Sequence, residues 1–150
     1  MPQSLSKVYT HIIFSTKHRV KLIDKQIEPH LYNYLGGICK NFECNPVQIG
    51  GHKNHVHLLC LLSRKISQMK LVQELKQNSS KWIKSKGEKY KDFYWQEGYG
   101  IFSVSPKNVD KVSDYIRDQE SHHKHLSFKD EFRMFLDKYG MDYDERYVWD

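Results

Sequence analysis

The chain lacks the features that mark membrane, secreted and nucleotide-hydrolysing proteins. No apolar run approaches the roughly 18 residues of a transmembrane helix. The chain opens without a charged segment followed by an apolar one, so we expect no secretory signal and a cytoplasmic location. No Gly-x-x-x-x-Gly-Lys-Ser/Thr loop occurs, so a phosphate-cradling ATP site of this kind is not predicted.

Cysteine is also scarce. The chain has three cysteines, Cys39, Cys44 and Cys60, an odd number that gives no disulfide framework. Reduced, buried thiols are the expectation for such a protein. Zinc bound by Cys39, Cys44, His52 and His55 is an alternative, but this spacing matches none of the usual zinc-finger patterns.

Composition favours one globular domain that covers residues 1–150. The hydrophobic fraction is 39% and the charged fraction 28%, which is typical of a soluble domain with a real core. The net charge is +6, and the chain contains ten tyrosines and three tryptophans. A basic, aromatic-rich domain is compatible with nucleic-acid binding, although composition fits an ordinary basic protein equally well.

Hydrophobic periodicity predicts the order strand, helix, strand, strand, helix, strand. The strands are predicted at residues 7–16, 47–49, 55–62 and 101–105, and the helices at 25–41 and 67–84. This order indicates an α+β fold of the split βαβ type, as in ferredoxin-like and RRM-like proteins, with an antiparallel sheet. We expect the helices to cover one face and leave the other free for a ligand or a second subunit. Additional C-terminal helices are predicted at 107–124 and 129–139.

Two histidines stand at the start of the third predicted strand. His55 and His57 are two residues apart, so their imidazoles point to the same face, while Val56 points into the core. Both rings can reach one point, which makes a shared metal ion a natural occupant. A pair of hydrogen-bonded, inert histidines is the alternative interpretation.

The 107–124 helix carries a second pair of candidate site residues. Tyr115 and Gln119 are four residues apart and therefore lie one above the other on the helix surface. Together with the histidine pair, the Gln119 oxygen completes three metal ligands and leaves positions open for substrate oxygens. Tyr115 then supplies a nucleophile.

Several basic residues are candidates for contact with nucleic acid. Some form a polar stripe on the 67–84 helix, and others lie in the loop after the first strand or in the aromatic-rich loop at 86–100, where lysines alternate with rings that can stack on bases. A solvated helix face and a loop folded over the core are the alternatives. The candidate DNA contacts are Lys17, Arg19, Lys70, Lys81, Lys84, Lys89 and Lys91.

These motifs, taken in order, resemble the small single-tyrosine transposases of the HUH nuclease superfamily. The matching segments are the His-Val-His at 55–57, the Tyr-Ile-Arg-Asp-Gln at 115–119 with the histidines that follow, and residues 14–17, 95–105 and 143–150. The resemblance therefore covers nearly the whole chain.

The resemblance implies a catalytic Tyr115 and a divalent metal, Mg²⁺ or Mn²⁺, bound by His55, His57 and Gln119. It implies that the protein cuts and rejoins single-stranded DNA at insertion-sequence ends through a 5′-phosphotyrosine intermediate and recognises hairpin DNA. Relatives are homodimers in which the tyrosine helix serves its own subunit or the partner, and the residues leave both arrangements open.

Two other functions remain compatible with the residues. The first is a domesticated relative that applies the same chemistry to chromosomal repeat hairpins. The second is a non-catalytic RRM-like binding module, because residues 98–102 partly match the aromatic strand motif of that family. The leading basic residue of the motif is missing, and the segment falls on the fourth strand where the motif belongs on the third.

Overall fold

A four-stranded antiparallel sheet forms the centre of the computed structural model, which describes residues 2–150. The strands are β1 (Tyr9–Ser15), β2 (Pro46–His52), β3 (His55–Leu61) and β4 (Gly100–Val104). They lie in the order β2-β3-β1-β4. This is the split βαβ arrangement predicted from the sequence, so the predicted fold class is confirmed.

The strand register decides which side chains share a face. In the β1–β3 pair, Ile13 is opposite His57 and Ser15 is opposite His55. Residues opposite each other in an antiparallel pair project to the same side of the sheet, and the side alternates along each strand. His11, which is two residues before Ile13, therefore lies on the same face as both histidines of β3.

Two helices cover the opposite face, as the sequence predicts. They are α1 (Glu28–Asn41) and α2 (Gln68–Lys84). The side chain of Ser67 caps α2 by accepting a hydrogen bond from the backbone N–H of Lys70. The main core lies between these helices and the sheet and includes the three cysteines as free, buried thiols.

The second face of the sheet is also covered, and the expectation that it would be free was wrong. Three C-terminal helices lie over it: α3 (Val109–Arg117), α4 (Gln119–His122) and α5 (Phe128–Lys138). They belong to the same chain, and they bury a second apolar cluster that joins sheet residues to α5. That cluster is formed by Ile13, Phe102, Phe128, Phe132, Phe135, Leu136 and Trp149.

The predicted 107–124 helix is divided into two helices by the structure. Asp118 has φ −93° and ψ 20°, values outside the α-helical range, and separates α3 from α4. Tyr115 near the end of α3 and Gln119 at the start of α4 both reach Glu131 of α5. None of the helices within residues 2–150 combines the length and the hydrophobicity that a membrane crossing needs.

Residues 86–99 form a connection that α2 holds against the sheet. Trp95 is buried and its Nε1–H donates to Ser79 Oγ at 2.9 Å, so this ring belongs to the core. The ammonium group of Lys76 donates to three consecutive carbonyl oxygens, those of Gln96, Glu97 and Gly98, at 2.6–2.9 Å. All three ammonium hydrogens are thereby used, and the loop is fixed along one edge of α2.

Replacement of Lys76 by methionine is predicted to destabilise the protein by about 2 kcal/mol, because three carbonyl groups lose a charged donor. Chemical denaturation monitored by circular dichroism measures this change. Lys81→Met, an exposed position on the same helix, is the matched control and should change stability by less than about 0.5 kcal/mol. Equal stability of the two variants would contradict the role of Lys76.

Candidate active site

The two histidines of β3 are fully buried under the C-terminal helices. His55 and His57 both have 0% exposed surface. Their rings lie 5.2 Å apart between centroids on one face of the sheet. Both imidazoles therefore lie on one side of the sheet, where the sequence predicts them.

Glu131 on α5 places a carboxylate between the two histidines. Its Oε1 lies 2.9 Å from His57 Nε2 and 3.3 Å from His55 Nε2. One ligand atom from each of the three residues lies within 4.8 Å of the others. Burial alone raises the pKa of Glu131, but the neighbouring His57 and the other groups that contact the carboxylate outweigh it. The net pKa lies well below the usual range, so the carboxylate is ionised.

Gln119 at the start of α4 completes the inner group. Its Oε1 lies 2.9 Å from His55 Nε2 and 3.0 Å from His123 Nε2. Its amide Nε2 donates to Glu131 Oε2 at 3.0 Å, which fixes the orientation of the amide and turns the oxygen towards the histidines. The prediction that Gln119 lies beside the histidine pair agrees with this geometry.

Tyr115 on α3 reaches the same cluster within one chain. Its hydroxyl donates a hydrogen bond to Glu131 Oε2. Its ring lies edge-on to His57 and stacks on His122 at 4.5 Å. Burial raises the pKa of Tyr115, and the negative charge of Glu131 raises it further, so the phenol is neutral at ordinary pH.

The hydrogen-bond pattern determines where the proton of His55 lies. The amide of Asn54 donates from Nδ2 to the carbonyl oxygen of Arg19 at 3.3 Å, so its Oδ1 faces His55 Nδ1 at 2.8 Å and accepts from it. Burial lowers the pKa of His55 to about 4, so the ring is neutral and carries one hydrogen. His55 Nε2 therefore presents a lone pair to the oxygens of Gln119 and Glu131.

His123 presents the same arrangement. Its Nδ1 lies 2.5 Å from the carbonyl oxygen of Leu126, a group that only accepts hydrogen bonds. In the neutral ring Nε2 therefore carries a lone pair, which faces the oxygens of Gln119 and Glu131 at 3.0 and 3.2 Å. Lone pairs on nitrogen and oxygen thus face one another, and there are too few hydrogens between them to form hydrogen bonds. A bound cation would remove the repulsion between these acceptor atoms.

His11 on β1 forms a hydrogen bond with His57. The two rings share a hydrogen bond of 2.8 Å between His11 Nε2 and His57 Nδ1. Burial lowers the pKa of His11 well below its usual value, so this ring is neutral. A partner on the second nitrogen fixes the orientation of a ligating histidine, as in known metal sites.

The donor set fits a divalent metal ion. Two imidazole nitrogens, one carboxylate oxygen and one amide oxygen are all buried and face one another. Imidazole and carboxylate groups together suit divalent transition metals. A buried cluster of this composition therefore suits a metal site, and His55, His57, Glu131 and Gln119 are the residues that can hold the ion.

Sequence reasoning missed three members of this cluster: Glu131, His123 and His11. Glu131 carries a detectable signal in the sequence, because it lies on the apolar face of α5 between Phe128 and Phe135. A charged residue on such a face is exceptional unless it is paired. His123 follows Gln119 at the same four-residue spacing that separates Gln119 from Tyr115.

The seven predicted DNA contacts fall into two groups. Three lysines already pair with acidic side chains of the same chain: Lys70 with Glu74, Lys89 with Asp24 and Lys91 with Glu88, all at 2.9–3.0 Å. Arg19 donates to the carbonyl oxygen of Trp149 at 2.5 Å and thereby holds the C-terminal segment.

Two of the remaining three lysines contact the exposed residue Tyr94, and the third lies one helical turn away on α2. Lys84 Nζ lies 3.9 Å from the ring centroid of Tyr94, which is 55% exposed. The backbone N–H of Lys17 donates to the carbonyl oxygen of Tyr94 at 2.7 Å. Lys81 precedes Lys84 by three residues on α2 and is exposed. We call Lys17, Lys81, Lys84 and Tyr94 the basic platform.

Comparison with known proteins identifies the family. In a structural comparison, a candidate transposase from Deinococcus radiodurans R1 matches with a TM-score of 0.62 and 22% identity, over 79% of this chain and 98% of the other. A REP-associated tyrosine transposase bound to a REP hairpin matches with a TM-score of 0.59 and 14% identity, over 82% and 73% of the two chains. A search of curated proteins finds no match. The profile of the family described as Transposase IS200 like matches residues 4–119, and the chain therefore belongs to the IS200-like transposases.

Proposed function

We propose that this transposase cuts and rejoins single-stranded DNA by attack of Tyr115 on the scissile phosphate. The observation that carries the proposal is the position of Glu131, which accepts a hydrogen bond from the Tyr115 hydroxyl and also lies between His55 and His57. A nucleophile is thereby held next to a cation site. Structural histidines alone would not require the tyrosine, the carboxylate and the amide to meet at one buried point.

His55, His57 and Glu131 would hold the divalent metal, with Gln119 Oε1 as a further ligand. When bound, the ion would polarise the scissile phosphate and neutralise the charge that develops on it. Mg²⁺ prefers oxygen ligands, whereas imidazole nitrogens suit Mn²⁺ better, so the donor set favours Mn²⁺ over Mg²⁺. Hydrogen bonds to the second ring nitrogens orient both imidazoles: His11 contacts His57, and Asn54 contacts His55.

Glu131 would also accept the proton that the Tyr115 hydroxyl loses. The phenol is neutral, and its hydroxyl hydrogen points to the ionised carboxylate. As the Tyr115 oxygen bonds to phosphorus, its proton moves towards Glu131 Oε2. The bond between phosphorus and the 3′ oxygen breaks, and that oxygen leaves as a hydroxyl after taking a proton from solvent. The 5′-phosphotyrosine link retains the phosphodiester, so a second 3′-hydroxyl can reverse the step without ATP.

The contacts within one chain support a site in which Tyr115 serves its own subunit. Tyr115 contacts Glu131 and His57 of its own subunit. The alternative left open by the sequence, in which the tyrosine helix serves a partner, is therefore not needed to complete the site. A homodimer remains a prediction that concerns strand exchange between two DNA ends.

The basic platform supports a single-stranded partner. An exposed ring with lysines beside it can stack on an unpaired base while the cations neutralise phosphates. Hairpin DNA is part of this proposal, because one structural relative was solved with a REP hairpin. That relative also supports the second candidate function, processing of chromosomal repeat hairpins by the same chemistry. The DNA that flanks the gene separates the two, by showing either element ends or scattered repeats.

Tyr115→Phe should abolish covalent attachment to DNA and retain DNA affinity, because only the attacking oxygen is lost. The protein is incubated with single-stranded DNA from both flanks of its gene and Mn²⁺ or Mg²⁺, and the products are separated on a denaturing gel. Tyr34→Phe, on α1 at the other face of the sheet, is the matched control and should form the adduct normally. An adduct formed by the Tyr115→Phe protein would contradict the assignment.

Glu131→Gln should weaken Mn²⁺ binding by at least about tenfold, since the substitution removes the negative charge of the ligand set. Isothermal titration calorimetry measures this affinity without any DNA. Glu120→Gln, an exposed position that pairs with Lys25, is the control and should bind Mn²⁺ like the unmodified protein. Unchanged affinity in the Glu131 variant would show that the carboxylate is no ligand. Gln119→Ala should have the smaller effect, because a neutral oxygen is lost.

The salt dependence of DNA binding should separate the two groups of lysines. For single strands, each neutralised phosphate contributes about −0.7 to the slope of log K against log salt concentration. The triple variant Lys17→Gln, Lys81→Gln and Lys84→Gln should therefore reduce the magnitude of the slope by about 2. The matched triple variant at Lys70, Lys89 and Lys91 should leave the slope nearly unchanged, because those lysines are already paired. The reverse result would remove the basic platform from the DNA-binding surface.

A further inference from the structure

A cavity of about 420 Å³ opens beside the nucleophile. Tyr115 and His11 line it, together with residues from the end of β4, from α3 and from α5. Its volume is within the range of small-molecule pockets. The cleavage chemistry proposed for Tyr115 does not itself use this cavity.

The walls of the cavity suit a flat, apolar ring. Val104, Val112 and Phe135 provide apolar surface, and Met134 and Tyr139 are half-exposed at its rim. The Tyr139 ring is fixed in place, since its hydroxyl donates to the carbonyl oxygen of Ser103 at 2.7 Å. The ring also stacks on Phe102 at 4.7 Å between centroids. A rigid aromatic side chain at the mouth of a cavity is a stacking surface for a nucleobase.

The charge of the cavity suits a phosphate. Lys111 and Lys138 line it, and no carboxylate side chain does. Among the ion pairs within residues 2–150, none involves either of these lysines. Asn108 and Ser105 add groups that can form hydrogen bonds. An aromatic ring with an attached anion is the ligand that this combination fits.

We propose that this cavity, the nucleotide pocket, holds the nucleotide directly 3′ of the cut in the cleaved strand. The inference rests on the proposed function and specifies where its substrate lies. An in-line displacement places the leaving 3′ oxygen on the side of the phosphorus opposite the Tyr115 oxygen, so the upstream strand departs away from the tyrosine. The downstream nucleotide stays bonded to Tyr115 through its 5′-phosphate and remains beside the ring that lines the pocket.

The test combines DNA that lacks one base with variants of the pocket. The wild-type adduct first maps the cut, and a single abasic site is then moved along the strand. An abasic site directly 3′ of the cut should slow adduct formation by the wild-type protein about tenfold. Tyr139→Ala should slow it by a similar factor on intact DNA and show no further loss with that abasic site. Tyr139→Phe retains the ring and should keep the full sensitivity.

A second pair of measurements does not depend on the stability of the Tyr139→Ala protein. Lys111→Gln combined with Lys138→Gln replaces two ammonium groups with neutral amides, and Lys40→Gln combined with Lys65→Gln is the remote control. A neutral methylphosphonate at the next phosphate 3′ of the cut should slow the wild type and the control about tenfold, and the pocket variant by less than about twofold.

The outcomes separate the pocket from the proposed function. An abasic effect confined to the nucleotide 5′ of the cut would overturn the pocket assignment. Full sensitivity to the abasic site and to the methylphosphonate in the pocket variants would also overturn it. Either result would leave tyrosine chemistry intact as long as the wild-type adduct forms. A wild-type protein that forms no adduct on either flank would contradict the proposed function, and the pocket assignment with it.

Discussion

The buried carboxylate of Glu131 is the group on which the arrangement of the site depends. An ionised carboxylate without exposed surface is costly unless hydrogen bonds and charges replace its water shell. Glu131 obtains these from His57 on β3, from Tyr115 on α3 and from Gln119 on α4. Each partner comes from a different element, so satisfying this one group fixes all three elements relative to α5. The same hydrogen bonds that make burial tolerable also place the nucleophile beside the histidine pair.

Close packing of α3 on the sheet makes this meeting possible. A side chain at Gly50 on β2 would place its Cβ 2.6 Å from the backbone oxygen of Ile116, which is too close for any residue other than glycine. The sequence predicts that this strand ends at residue 49, whereas β2 continues through both glycines to His52. The glycine is required by the approach of a helix rather than by a turn. Because Tyr115 precedes Ile116, the close approach at Gly50 also determines how near Tyr115 lies to the sheet.

The two faces of the sheet differ in the polarity of their buried side chains. The face under α1 and α2 is almost wholly apolar, with Phe14, Val56 and Leu58 among its buried residues. The other face mixes an apolar cluster around Phe132 with the buried histidines and their partners. The first face is therefore a conventional core, and the second combines packing with a polar network. This division explains how a chain of 150 residues can fold stably and also bury ionisable groups.

Local sequence determined the strands, the two helices of the main core and the direction of the histidine pair. Period-two and 3.6-residue patterns depend only on backbone geometry, which is why the split βαβ order and the shared face of His55 and His57 were predictable. The spacing of Tyr115 and Gln119 was likewise readable from the chain. Only the tertiary structure decided that α3, α4 and α5 cover the second face, and that Glu131 and His123 join the site. The contacts of these helices with β3 connect residues far apart in sequence, and no periodicity specifies which faces of separate elements will meet.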